Sequence, residues 1–139
     1  MNPKAKKLKV LSFVYINNDT LRLIRKSARI ANRLQAELIV VHIVSSTSKL
    51  TENKKIAIIE LEQLVVELGG DFRLLEGKNT SDELLNTISK IKPDYIVLGE
   101  PSNKNKHFFL RDSVSKSIAN NITESHIWIV GDFTREISE

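Results

Sequence analysis

The segment Gly99–Ser113 holds the residues whose types and spacing are best suited to bind a ligand. It begins with a glycine, has a hydroxyl at Ser102, and leads into a predicted helix, Ser113–Ile122. The free N–H groups and the positive dipole end at a helix N-terminus suit a phosphate. The segment also contains four basic side chains: Lys104, Lys106, His107 and Arg111. The pattern predicts phosphate binding here, and a solvated basic loop over Phe108–Leu110 is the alternative.

Three more candidate residues follow the first two predicted strands. In open α/β sheets, ligands bind outside the carboxyl ends of the strands, where the strand order reverses. Tyr15 could stack on a base there, and Asn17 could hydrogen-bond to one. His42 lies in a strongly apolar strand, and it either faces the ligand or has its hydrogen bonds satisfied inside the fold. The other members of the predicted ligand-binding set are Gly99, Ser102, Arg111 and Ser113.

The sequence contains no residue pattern typical of an enzyme or a metal centre. It has no cysteine, and His42, His107 and His126 lack the spacing of metal ligands. It also lacks a Gly-x-Ser-x-Gly elbow, a Gly-x-x-x-x-Gly-Lys phosphate loop and a pair of carboxylates suited to acid–base catalysis. We therefore predict a non-catalytic domain that requires no metal.

The composition is that of one ordinary globular domain, because 41% of the 139 residues are hydrophobic and 27% are charged. The net charge of +4 is too small to indicate nucleic-acid binding. The longest apolar run, Leu38–Val41, is far too short to insert into a membrane. We expect a single domain over residues 1–139, with its core at 8–131 and a tail at 132–139. We expect it in the cytoplasm, because a chain without cysteine fits a reducing compartment.

Strand and helix patterns alternate from end to end. Short apolar runs rich in β-branched residues predict five strands: Leu8–Ile16, Glu37–Val44, Asp71–Leu75, Asp94–Leu98 and His126–Val130. Helical periodicity predicts helices in the segments between them. The predicted apolar faces include Leu21 in the first helix and Ala57, Leu61, Leu64, Val65 and Leu68 in the second. Gly69-Gly70 and Lys92-Pro93 are expected to end the second and third helices. Parallel strands need long crossovers, so the expected α/β fold is one doubly wound parallel sheet with helices on both faces.

The order of elements and the spacing within Gly99–Ser113 resemble universal stress protein domains over nearly the whole chain, from Lys9 to Gly131. That family has the motif Gly-x-x-Gly, nine residues, then Gly followed by Ser or Thr. This chain keeps the spacing, but Ser102 and Asp112 replace the second and third glycines. The resemblance implies an adenine nucleotide α-hydrolase-like fold with five parallel strands in the order 3-2-1-4-5. It also implies a regulatory domain that senses ATP or AMP.

Four stretches are most similar to the stress-protein domain of KdpD-type potassium sensor kinases: Leu23–Leu34, Val66–Gly70, Ile96–Gly99 and Phe109–Val114. This resemblance implies potassium-responsive or stress signalling, a sensor kinase or transporter as partner, and cyclic di-AMP as a further candidate ligand. Tyr15 and Asn17 occupy the places where ATP-binding members have an aspartate and a serine. The alternative is a protein-interaction or dimerisation module whose nucleotide site is degenerate.

The last predicted strand, His126–Val130, is expected at an edge of the sheet. An unprotected apolar edge tends to pair with another strand, and universal stress proteins often dimerise through this one. The resemblance implies a homodimer through His126, Trp128 and Val130, with Trp128 at the centre of the interface. Alternatively, Trp128 packs under a helix of its own subunit.

Overall fold

A computed structural model describes residues 7–16, 20–45, 49–99 and 126–130. The strands are β1 (Lys9–Phe13), β2 (Glu37–Ser45), β3 (Asp71–Gly77), β4 (Tyr95–Gly99) and β5 (His126–Val130). The helices within the described ranges are α1 (Thr20–Leu34), α2 (Glu52–Glu67) and α3 (Thr80–Ile91). The sheet order is β3-β2-β1-β4-β5, and every neighbouring pair is parallel. The predicted doubly wound sheet and its strand order are confirmed.

Side chains of the inner strands alternate between two apolar layers, one on each face of the sheet. Even-numbered residues of β1 and β2, such as Val10 and Val40, pack with α1 and α2. Odd-numbered residues, such as Leu11 and Ile39, pack with α3. Helices therefore cover both faces, and the parity of a residue number near β1 and β2 tells which face its side chain occupies.

The first helix, α1, packs one side against the centre of the sheet. Leu23 is 4% exposed and Ile24 is fully buried. The buried Ser27 hydroxyl lies 2.9 Å from both the Leu23 carbonyl oxygen and the Ser12 hydroxyl of β1, so these polar groups are paired inside the core. Leu21 is 40% exposed, and its predicted place on the apolar face is wrong. It lies in the first turn of α1, where the helix starts beyond the end of β1.

The second helix, α2, ends as predicted at Gly69-Gly70. Gly69 has a φ of +83°, in the left-handed region that favours glycine. Its N–H donates to the Val66 carbonyl at 3.0 Å, and the Gly70 N–H donates to the Val65 carbonyl at 2.8 Å. These two bonds form the Schellman motif, which satisfies carbonyls left open at a helix end.

The predicted apolar face of α2 is wrong at its margins. Leu68 is 37% exposed, and Ala57 is only half-buried. The centre of the predicted face is confirmed, because Leu61, Leu64 and Val65 are buried, and Ile58, at 7% exposed, is buried beside them. Periodicity therefore located the centre of the buried side but not its margins, because further apolar residues lie around the helix.

Several expectations concern residues outside the described ranges. These are the helix Ser113–Ile122, the basic segment that precedes it, and the tail at 132–139. The first strand is also shorter than predicted, since β1 ends at Phe13. In the described ranges, none of the helices has the length and apolarity needed to cross a bilayer.

Candidate functional site

The carboxyl edge of the sheet, where the strands end, contains the point at which the strand order reverses. The chain passes from β1 to β2 on one side, whereas β4 and β5 lie on the other side of β1. The register pairs Phe13 with Leu98, which places Val14 beside Gly99, the last residue of β4. Doubly wound sheets bind ligands in the crevice at such a point. The topology thus brings the segment after β1 next to the start of the Gly99–Ser113 segment.

Tyr15 follows β1 and lies half-buried on the α3 face of the sheet. Its ring meets that of Phe13 edge to face, with centroids 5.0 Å apart and 71° between the planes. Its backbone carbonyl accepts a hydrogen bond from the Thr20 hydroxyl in the first turn of α1. Both the ring and the backbone of Tyr15 are therefore held in place, which is what a residue that positions a ligand requires.

His42 lies near the end of β2 and is only 9% exposed. Its Nδ1 is 2.9 Å from the Val14 carbonyl oxygen. A carbonyl oxygen only accepts, so Nδ1 carries the proton, and in the neutral ring Nε2 is left as an acceptor. Burial lowers the pKa of His42 below its ordinary value of 6.5, Lys54 lowers it further, and the bond to Val14 opposes the shift. This is the environment expected of a histidine satisfied within the fold, and a role in ligand binding stays a prediction.

The predicted site residues do not all lie on one side of the sheet. Tyr15 packs with the odd-numbered layer, beside α3, whereas His42 follows the even-numbered residues that face α1 and α2. One ligand could contact both only by lying across the carboxyl edge itself. Gly99 ends β4 at this edge. The other predicted residues lie outside the described ranges: Asn17, Ser102, Arg111 and Ser113.

Lys54 adds positive charge to this edge of the sheet. It lies in the first turn of α2, close enough to lower the pKa of His42. It was not among the residues predicted from sequence, and the available signal was a basic residue in the first turn of the helix after a buried strand. Among the residues described, no three His, Asp or Glu side chains converge where a metal ion could bind.

Comparison with known proteins identifies the fold. No family model and no curated protein matches the chain. A universal stress protein solved in complex with cAMP superimposes with a TM-score of 0.66 and 18% identity, over 91% of this chain and 98% of that one. The universal stress protein from Archaeoglobus fulgidus in complex with dAMP gives 0.60 and 16%, over 89% and 97%. UspA from Lactobacillus plantarum gives 0.61 and 14%, over 92% and 99%. The chain therefore has the fold of the universal stress proteins along nearly its whole length.

Proposed function

We propose that this protein is a regulatory domain of the universal stress protein type that binds an adenine nucleotide and does not turn it over. The observation that supports this most directly is the placement of Tyr15, just beyond the end of β1, and Gly99, at the end of the adjacent strand β4, at the reversal point of the sheet. Proteins of the same fold have been solved with cAMP and with dAMP. Adenine is common to these ligands and to ATP, AMP and cyclic di-AMP, so we propose the base as the shared recognition element.

The described residues fit a base at this position. The Tyr15 ring is fixed by Phe13 yet remains half-exposed, which suits stacking. Gly99 has no side chain, so a ligand can approach the end of β4 closely. His42 is too buried to stack, but its Nε2 is an acceptor on the other side of the edge. Phosphate groups would then extend toward the predicted Ser102, Arg111 and Ser113.

A non-catalytic role is supported by the side chains that follow β1. Residues 14–16 are Val, Tyr and Ile, so this stretch offers no carboxylate to hold Mg²⁺ against a triphosphate. His42 already donates from one ring nitrogen to the backbone. We accordingly propose a sensor that works in the cytoplasm through a dimer or a partner, such as a potassium-linked sensor kinase or transporter.

Calorimetric titration with AMP, ATP, cAMP and cyclic di-AMP tests nucleotide binding. Stacking on an aromatic ring contributes about 1–3 kcal/mol per base, so Tyr15→Ala should weaken binding by about fivefold or more. Tyr15→Phe keeps the ring and should bind nearly as well as the unaltered protein. Failure of all four nucleotides to bind at millimolar concentration would overturn the proposal.

The second candidate function is a dimerisation module whose nucleotide site has decayed. The observation that favours it is the position of β5 at the edge of the sheet, where, among the strands that the structure describes, it pairs with β4 alone. We propose His126, Trp128 and Val130 as the contact strand. Sedimentation with and without nucleotide separates the two functions, because this candidate predicts a stable dimer that nucleotides do not alter. A protein that stays monomeric at high concentration argues against it.

The proposed potassium link has its own test. If the chain acts in potassium-responsive signalling, deletion of its gene should impair growth at low external potassium. Normal growth of the deletion strain under that condition would remove the KdpD-type assignment and leave the nucleotide proposal intact.

A further inference from the structure

The outward side of α2 exposes large apolar side chains that the core does not use. Ile56 and Ile59 are each 54% exposed, and Val66 is 62% exposed. Other residues of the same helix are buried: Ile58, Leu61, Leu64 and Val65. Isolated exposed apolar residues are ordinary on protein surfaces, but these three share one face of one helix. Their spacing therefore needs an explanation.

The outward residues follow the repeat of a coiled-coil seam. Ile56, Ile59, Gln63 and Val66 are spaced three, four and three residues apart, as are alternating a and d positions of a heptad. We call this set the α2 seam. The seam spans about 15 Å along the helix axis, and Gln63 interrupts it with one polar group. Such a seam is suited to a single partner helix of similar length.

The charges beside the α2 seam are complementary to a second copy of the same helix. Lys55 and Glu62 lie seven residues apart, so they flank the seam on the same side at equivalent heptad positions. An antiparallel copy can place each Lys55 opposite Glu62 of the other copy, and it does so twice about the two-fold axis. Within one helix the two do not meet, because only residues three or four apart are neighbours.

Neither Lys55 nor Glu62 contributes much to the stability of its own helix. The contact of Lys55 within its own helix is an exposed ion pair with Glu52 at 3.3 Å, and exposed pairs of this kind contribute little. The last turn of α2 has no basic residue to match the negative end of the helix dipole. Glu62 lies before that last turn and gains nothing from the dipole, and Glu67 within it works against helix stability.

We propose that the α2 seam is a docking surface for a second copy of this chain, with the two α2 helices antiparallel. In the register that pairs Lys55 with Glu62, Ile56 packs against Ile59 of the other copy, twice about the two-fold axis. The contact is separate from the β5 edge and from the nucleotide site at the carboxyl edge. A protein that used both the α2 seam and β5 would form assemblies larger than a dimer.

Sedimentation equilibrium without nucleotide tests the proposal, at protein concentrations up to about 1 mM. Ile59→Glu should weaken self-association by about tenfold or more, since it puts a charge in the middle of the contact. Leu74→Glu on β3 is the matched control, because Leu74 is also exposed, at 45%, but lies off α2. Equal effects of the two variants would overturn the proposal. So would an unaltered protein that associates through β5 alone.

A charge exchange identifies the partner and its direction. Lys55→Glu and Glu62→Lys should each weaken association, and the double variant should restore it, because the exchanged charges again face their opposites across the interface. Without rescue the antiparallel second copy is wrong: a parallel copy would place Lys55 near Glu60, and another protein would not carry the exchanged charges. Circular dichroism and the unfolding midpoint confirm that each variant is folded.

Discussion

At the amino edge of the sheet, where the strands begin, Lys9 and Asp94 are joined twice. The Lys9 N–H donates to the Asp94 carboxylate, and the Asp94 N–H donates to the Lys9 carbonyl, both at 2.9 Å. At the carboxyl edge, the corresponding bonds come from side chains: His42 donates to the Val14 carbonyl, and Thr20 donates to that of Tyr15. The bonds at the amino edge join the starts of β1 and β4, whereas those at the carboxyl edge fix the positions of Tyr15 and His42. Stability and ligand binding should therefore respond to different substitutions.

The largest stability effect is expected at the amino edge, from Asp94→Ala. This change leaves the half-buried Lys9 N–H without its carboxylate partner, and hydrogen bonds to charged groups contribute about 1.5–3 kcal/mol. The free energy of unfolding, measured in urea, should fall by about 2 kcal/mol. Nucleotide affinity should stay unchanged, because the proposed nucleotide site lies at the opposite edge of the sheet.

Asp71→Ala is the control for Asp94→Ala. Asp71 begins β3 at the same edge, but its carboxylate contacts only the exposed Arg73 side chain, at 2.9 Å, among the bonds described. Exposed pairs of this kind contribute less than about 1 kcal/mol. A loss as large as that of Asp94→Ala would show that the amino edge is sensitive for a reason other than the Lys9–Asp94 bonds.

A smaller effect is expected at the carboxyl edge, where His42 makes stability depend on pH. Burial holds the folded pKa of His42 below the unfolded value of 6.5. As the pH falls, the unfolded chain therefore takes up the proton first. The contribution of His42 to the free energy of unfolding is complete above pH 6.5 and is lost as the pH falls through the folded pKa. His42→Phe should cost about 1 kcal/mol at pH 8, where the Val14 carbonyl loses its donor.

The measurement is the difference in free energy of unfolding between the unaltered protein and His42→Phe, obtained in urea from pH 8 to about pH 5. This difference isolates His42 from the other titrating residues. The destabilisation by His42→Phe should shrink as the pH falls, since the unaltered protein loses stability that the variant never had. A constant difference over this range would mean that His42 titrates alike in the folded and unfolded chains.

Most of the strands, helices and helix ends were predictable from sequence, because apolar runs, helical periodicity and turn residues are local signals. Gly69-Gly70 and Lys92-Pro93 end their helices as predicted, with Lys92 itself left-handed at φ 55°. The relation of Tyr15 to His42 was not predictable, because their opposite faces follow from where β1 and β2 come into register. Periodicity located the centre of the buried side of α2 but not its margins, since a helix with a second apolar seam has apolar residues beyond a single stripe.

Effects of about 1 kcal/mol or less are expected at the left-handed turns of the amino edge, and they differ in sign. Gln35 ends α1 with a φ of 52°, which disfavours a residue with a Cβ, whereas Gly69 meets the same need at φ 83°. Gln35→Gly should stabilise the protein by about 0.5 kcal/mol, because relief of the left-handed strain exceeds the entropy cost of glycine. Gly69→Ala should destabilise it by about 1 kcal/mol for conformational reasons alone, since a new Cβ there would have no atom within 4 Å. Paired urea titrations measure both, and a shift of the same sign in the two variants would show that turn conformation does not govern the stability of this edge.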